Sequence, residues 1–293
     1  MAPRVAPSLR DVHPRELKSV VREIPTLPVI YQQLFQMMQD PDVTIAAVGE
    51  LISHDQALTS KILHLVNSAF YKQQRQISTI SRALIVLGFR AVRNAALALS
   101  IFDQFKDEQS TAGYSLGQFW QHSVASASIC KVLAEKTLPQ HQEEAFIAGL
   151  LHDVGKLVEK RYFPNDFDAI VNRLLEEPST WMEAERELFP VNHASIGRAV
   201  FRAWDFPDPV VESIQLHHVP GEGGAYPQLT ALVHLGNILS YQLNMGSPLG
   251  QPPGGCSDGC LQVLGLDLDQ AISFEPAFRE EIERALEILQ LTG

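Results

Sequence analysis

Five histidines and one aspartate stand in otherwise apolar, helix-forming sequence. His122 lies inside Phe-Trp-Gln-His-Ser-Val-Ala-Ser-Ala. His152 and Asp153 are adjacent in Ala-Gly-Leu-Leu-His-Asp-Val-Gly-Lys. His193 opens the run Asn-His-Ala-Ser-Ile-Gly-Arg, and His217 and His218 follow one another at the end of a helical segment begun by Asp208-Pro209. A single His on an apolar helix face is ordinarily a hydrogen-bonded core residue. Five of them with an adjacent carboxylate point instead to a metal centre, because helices in an all-α core can aim several ligands at one point. Imidazoles combined with a carboxylate suit iron, manganese or zinc.

The elements that must position these side chains are helices. The runs Ile45–Ile52, Leu58–Val66, Ser81–Leu87 and Ala91–Phe102 carry apolar residues at helical spacing, with Gly88 as a stop between the last two. No stretch shows sustained period-two alternation with hairpin signals, so strands are not expected. The fold class is therefore all-α, with helices of about 8–18 residues joined by short loops. The 293 residues suggest about two domains. A polar stretch, Lys106–Gly113, marks the boundary, dividing the chain into an N-terminal helical subdomain over 1–106 and a helical bundle with the candidate metal site over 107–293. The Gly/Pro-rich segment Gly246–Gly259 is too poor in apolar residues to pack and reads as a mobile loop. A last helix, Pro276–Leu291, offers Phe278, Ile282, Leu286 and Leu289 as a docking face.

Composition narrows the function classes. Lys plus Arg number 23 against 34 Asp plus Glu, a net charge of −11, so nucleic acid is not an expected partner: an acidic chain gains little by counterion release. The longest apolar run, near Ala95–Phe102, is far short of the ~20 residues that span a bilayer, and the first residues lack a signal-peptide core. Three cysteines make no disulfide framework. Cys256 and Cys260 lack partners for a metal site and read as part of a solvated loop. A cytoplasmic protein without membrane contact is expected.

These residues resemble the HD superfamily of metal-dependent phosphohydrolases, whose signature runs His…His-Asp…Asp and whose dinuclear members add a third His and a His-His pair. The resemblance implies a first metal set of His122, His152, Asp153 and Asn237. The second set is His193, His217 and His218, with Asp153 bridging. Asn237 stands where the family has an Asp, and an amide oxygen is the weaker donor, so the second set, which keeps all its protein ligands, is the firmer expectation. His234 lies one turn before Asn237 as a supporting group. Lys156 matches a lysine that the cyclic-dinucleotide branch keeps near phosphate. The N-terminal half resembles the HDOD branch in particular, through Ile24-Pro-Thr-Leu-Pro-Val, Asp55–Phe70 and Ile77–Gly88. After His218, the loop Val219–Pro227 is similar in length to that of the HD-GYP branch, cyclic di-GMP phosphodiesterases. It ends Ala-Tyr-Pro rather than Gly-Tyr-Pro, and Val219 replaces an expected acid.

The resemblance implies a bacterial signal-transduction or regulatory module that binds one or two ions of iron, manganese or zinc and acts through a protein partner whose identity is open. The alternative is a metal-dependent phosphohydrolase or cyclic-dinucleotide phosphodiesterase acting on a phosphate-containing ligand. Two ions would there clamp the phosphate, with Asp153 and Lys156 as the catalytic residues. Candidate partner surfaces are the polar segment Tyr71–Gln76, which carries Lys72 and Arg75, and the pair Arg90 and Arg93, which also reads as a solvated helix face.

Overall fold

The computed structural model describes residues 8–17, 42–67, 76–105, 113–221, 224–246, 249–255 and 258–290, with a few isolated positions between them. These residues are predominantly helical and include no strand, only two isolated bridge pairs. Phe70, the Tyr71–Arg75 portion of the candidate partner segment, Cys256, Leu291 and the Ile24–Val29 motif lie outside the described residues. The chain divides into two compact units. One comprises residues 26–107 and 275–293, the other residues 1–25 and 108–274.

In the first unit, Thr44 Oγ1 accepts the amide of Ala47 and starts α1, Ile45–Ser53. Helix α2 is Gln56–Asn67, α3 is Ile80–Leu87, and α4 is Phe89–Phe105. Their apolar stripes, including Val48, Ile52, Leu58, Ile62, Ile80 and Leu84, are buried. Asn67 ties the end of α2 to the approach to α3. Its amide donates to the carbonyls of Leu63 and Ile77, and its Oδ1 accepts the Ile77 N–H at 2.6 Å. Lys61 pairs with Asp103 at 2.5 Å between α2 and α4. Arg93 departs from the sequence expectation. It is buried, with Nε donating to Asn94 Oδ1 at 3.0 Å, because every residue from Ala91 to Phe102 of α4 is buried, not one stripe alone. The last helix is α15, Glu275–Gln290, with Phe278 and Ile282 buried.

The second unit is built on α5, Leu116–Thr137, capped by Ser115. Helices α6 (Gln142–Leu151) and α12 (Pro227–Gln242) pack against it. The approach is close because α5 presents small residues there. A Cβ added at Gly236 would lie 2.8 Å from the Ser126 carbonyl oxygen and 2.4 Å from Cys130 Sγ. Between α6 and α12 come α7 (Val154–Tyr162), α8 (Pro164–Glu176), α9 (Trp181–Leu188), α10 (His193–Ala203) and α11 (Asp208–Leu216). Asn192 and Ser195 form a capping box at the start of α10, and Thr180 with Glu183 does so at α9. Helix α11 begins at Asp208 with Pro207 as its cap, one residue earlier than the Asp-Pro pattern suggests. Residues 8–17 belong to this unit: Ser8 Oγ and the Leu9 amide both donate to the carboxylate of Asp166.

The segment expected to be a mobile loop is pinned where it is described. The Gln251 amide donates to Ser179 O at 2.8 Å, and Gly246, at φ 70°, lies against the backbone of α5 at His122. Main-chain hydrogen bonds and backbone contact hold it, which its side-chain composition does not reveal. Helix α13, Asp258–Leu264, follows and buries Cys260, so that thiol is not in a solvated loop. Helix α14, Leu268–Ser273, completes the unit.

Helices α7 and α10 come close together at Gly155, where an added Cβ would lie 1.9 Å from the His193 carbonyl oxygen. That atom is main chain and cannot turn aside, and overpacking costs about 1–3 kcal/mol or more. The Gly155→Ala variant is expected to melt several degrees below the wild type; an unchanged melting temperature would mean the two helices separate without cost.

Candidate metal centre

Each chemically active side chain reaches the centre from a helix end or from a helix buried on all sides. His152 follows the last residue of α6, and Asp153 is the residue before α7. An Asp in that place ordinarily accepts a main-chain amide of the new helix. Asp153 makes no such cap, leaving its carboxylate free to turn inward. His193 is the first residue of α10, His217 caps the end of α11, and His218 follows it. His122 lies in the middle of α5 and Asn237 in the middle of α12.

The structure brings the five histidines and the aspartate together in two overlapping groups. Asp153, His193, His217 and His218 form one, and His122, His152 and Asp153 the other, with donor atoms in each within 4.8 Å of one another. The two carboxylate oxygens divide between them. Asp153 Oδ1 lies 3.2 Å from His193 Nε2 and 3.6 Å from His217 Nε2. Oδ2 lies 3.5 Å from His152 Nε2 and 3.8 Å from His122 Nε2. Asn237 is buried against His122, and its Oδ1 makes no well-formed hydrogen bond among the described residues. His234 sits behind the centre, its Nδ1 2.7 Å from His217 O.

The outer nitrogens fix which imidazole atoms point inward. His152 Nδ1 lies 2.7 Å from Gly149 O and His217 Nδ1 lies 2.7 Å from Ile214 O. A carbonyl can only accept, so both Nδ1 atoms carry protons and the neutral rings present Nε2 lone pairs inward. Ser240 Oγ donates to Asn237 O at 2.7 Å and lies 3.0 Å from His122 Nδ1, so it accepts from that ring. His122 Nε2 and His152 Nε2 then face each other at 3.4 Å with no proton between them. Burial keeps these rings neutral. It lowers His122 to about 4, His152 well below the usual range, and His217 less strongly. His218 is held well below that range by burial and by its neighbours His217 and His193. Inward lone pairs, a shared carboxylate and the orphaned amide oxygen of Asn237 make a donor set that fits a borderline divalent cation.

Sequence reasoning did not anticipate three partners. Glu185, on α9, accepts the His193 N–H at 2.8 Å and approaches its Nδ1 at 2.8 Å. Burial opposes the charge on His193, but Glu185 and Asp153 together raise its pKa. Glu159 is fully buried beside it, and burial, then Glu185, pushes its carboxyl well above the usual range. Ser240 is the third. A signal for Glu185 exists in retrospect. Within Trp181-Met-Glu-Ala-Glu-Arg-Glu-Leu it falls four residues after Trp181, on the buried face, whereas Glu183, Arg186 and Glu187 are exposed. Lys156 is also sealed inside. Its Nζ lies 2.5 Å from Asp153 Oδ2 and over the Trp181 ring. Burial opposes the charge of both partners. Lys156 and the imidazoles nonetheless hold Asp153 well below the carboxylate range, and Asp153 raises Lys156.

A helical bundle that gathers five imidazoles around one carboxylate defines a class of His/Asp-centred α-proteins. The HDOD domain profile matches residues 24–220, and the chain belongs to that family. It is similar to an uncharacterized protein of Treponema pallidum (strain Nichols), at 28% identity over 80% of this chain and 45% of the other. The chain thus spans less than half the length of that curated relative. An HDOD domain protein of unknown function from Geobacter sulfurreducens has a similar structure, with a TM-score of 0.79 and 28% identity over 94% of this chain and 96% of that one. So has a Shewanella amazonensis SB2B protein provisionally designated a phosphohydrolase, with a TM-score of 0.70 and 26% identity over 92% and 97%. No described helix is long and apolar enough to cross a membrane.

The shifted histidines give the metal-free chain a pH signature. Between its folded pKa of about 4 and the ordinary 6.5, His122 binds fewer protons folded than unfolded. Its contribution is present above that window and lost as pH falls through it, a difference of about 3 kcal/mol. His152, His217 and His218 act in the same direction, and Asp153 does so only below the ordinary carboxylate value of 3.8. His193 and Glu159 oppose them, their contributions being present at low pH and lost as pH rises through their raised pKa values. Calorimetry in chelator is expected to give a lower melting temperature at pH 5 than at pH 7. A flat or rising profile toward pH 5 would count against neutral buried imidazoles.

Proposed function

We propose that the chain is a metal-dependent signalling module of bacterial type, in which a divalent ion held by His193, His217, His218 and Asp153 stabilises the helical bundle and a protein partner reads its state. One observation carries the metal reading: the His217 Nε2 lone pair is turned by a main-chain carbonyl toward His193 Nε2, 3.4 Å away, and toward Asp153 Oδ1. The three histidines and Asp153 would hold the ion. Glu185 would keep the His193 ring oriented through Nδ1, and the Ile214 carbonyl would do the same for His217. A bound divalent ion would supply Lewis acidity and lower the pKa of an attached water.

The second reading, a phosphohydrolase, draws support from Asp153, whose two oxygens serve the two donor groups, and from the designation of the Shewanella relative. In that reading Asp153 would bridge two positions, with His122, His152 and Asn237 completing the first. Lys156 would fix the carboxylate through Oδ2 rather than reach solvent, because its side chain is 3% exposed. Iron, manganese and zinc all suit the donors. Activity on phosphoesters separates the two readings.

Elemental analysis of protein purified without added metal is expected to find bound iron, manganese or zinc. Chelation is expected to lower the melting temperature by several degrees and added ion to restore it. His217→Ala is expected to lose most of the bound ion while remaining folded. Protein that retains no ion, with a melting temperature indifferent to chelator and metal, would overturn the metal reading.

A further inference from the structure

The two donor groups are not equivalent, and the difference lies in Lys156. In the group of His193, His217 and His218, Asp153 contributes Oδ1, which lies 3.2 and 3.6 Å from two imidazoles and accepts no hydrogen bond from Lys156. In the group of His122 and His152, the same carboxylate contributes Oδ2, which already holds the Lys156 ammonium at 2.5 Å. The remaining candidate donor of that group, Asn237, is neutral. Its only anionic oxygen is thus shared with a cation that the chain itself supplies.

That cation cannot readily move away. Lys156 sits in the first turn of α7, its side chain is 3% exposed, and Nζ lies 5.3 Å from the centre of the Trp181 ring. The carboxylates of Asp153 and Glu185 and the phenol of Tyr241 surround it electrostatically. Water cannot replace them as counter-charge there. A divalent ion on Oδ2 would sit beside this fixed positive charge with two imidazoles and an amide as its other ligands.

We infer that Lys156 takes the place of one metal ion, so that this chain binds a single divalent cation at His193, His217, His218 and Asp153 Oδ1. The inference rests on the proposed metal reading and deepens it. Dinuclear chemistry, in which two ions flank one phosphate, is then closed to the wild-type chain, and removing the lysine charge opens the second position.

The test uses the full chain, stripped by chelator, saturated with Mn²⁺ and freed of loose ion by gel filtration. Ions per chain are counted by elemental analysis, and the Mn²⁺ paramagnetic resonance spectrum distinguishes isolated from spin-coupled ions. The wild type is expected to carry one isolated Mn²⁺. Lys156→Gln, which keeps the side chain's approximate length and discards its charge, is expected to approach two, with a spin-coupled spectrum. Two ions in the wild type would overturn the inference while leaving the metal reading intact. A folded Lys156→Gln chain that still holds one would do the same. No ion in the wild type would overturn both. Should Lys156→Gln fail to fold, the near-isosteric Asn237→Asp decides. With the ammonium in place it is expected to stay at one ion, and two would show that the missing carboxylate, not the lysine, limits occupancy.

Discussion

Removing a carboxylate from water costs several kcal/mol unless charges and hydrogen bonds replace the solvent. Asp153 is 1% exposed, and the second unit is arranged around meeting that cost. Lys156, one turn along the same chain segment, supplies the charge at 2.5 Å. Four imidazoles from α5, the α6–α7 joint, α10 and the end of α11 surround the two oxygens. The close approach of α7 to α10 at Gly155 brings His193 within reach of a residue two positions earlier in the chain. A bulkier residue there would move the ring away from the charge it faces, so packing and electrostatics at this point are one constraint.

The positions of the histidines follow from what helix ends leave unsatisfied. The last carbonyls of a helix have no partner within it. His152 and His217 each lie three residues beyond such a carbonyl, Gly149 O and Ile214 O, and each answers it with Nδ1. The same bond completes the helix terminus, fixes the tautomer and aims Nε2 at Asp153. At α10 the polarity is reversed. His193 stands at the N-terminus, where amides are unpaired, and Glu185 accepts both its amide and its ring. Burial and then Glu185 push the Glu159 carboxyl well above the usual range, which favours its neutral form and lessens the charge placed behind Glu185.

The all-α class was legible because apolar periodicity runs through nearly every segment. The order of His122, His152-Asp153, His193 and His217-His218 was legible because each interrupts such a segment. What could not be read was the burial of charged residues by position rather than type. Lys156 and Glu185 are residue types of the surface, and the lysine is enclosed by tertiary packing that sets it against Asp153 and the Trp181 ring of α9. Arg93 was misjudged for the same reason, since α4 is buried on every side and period alone does not reveal that. The pinning of the Gly/Pro-rich segment depends on main-chain bonds at Gln251 and on backbone contact at Gly246, which side-chain composition does not encode.

Burial also bears on which reading of the centre the geometry favours. His122, His152, His193 and His217 are wholly enclosed and Asp153 nearly so; His218 alone among the five histidines retains partial exposure. A phosphoester must bring its phosphorus within bonding distance of an attacking oxygen, so it would have to approach past His218. An ion needs only the donors. It reaches a sealed site during folding or through local opening, and once there its binding free energy adds to the stability of the bundle. Enclosure therefore costs a sensing or structural ion little and costs a bulky substrate its access, which is why the regulatory reading leads here and the hydrolytic one follows.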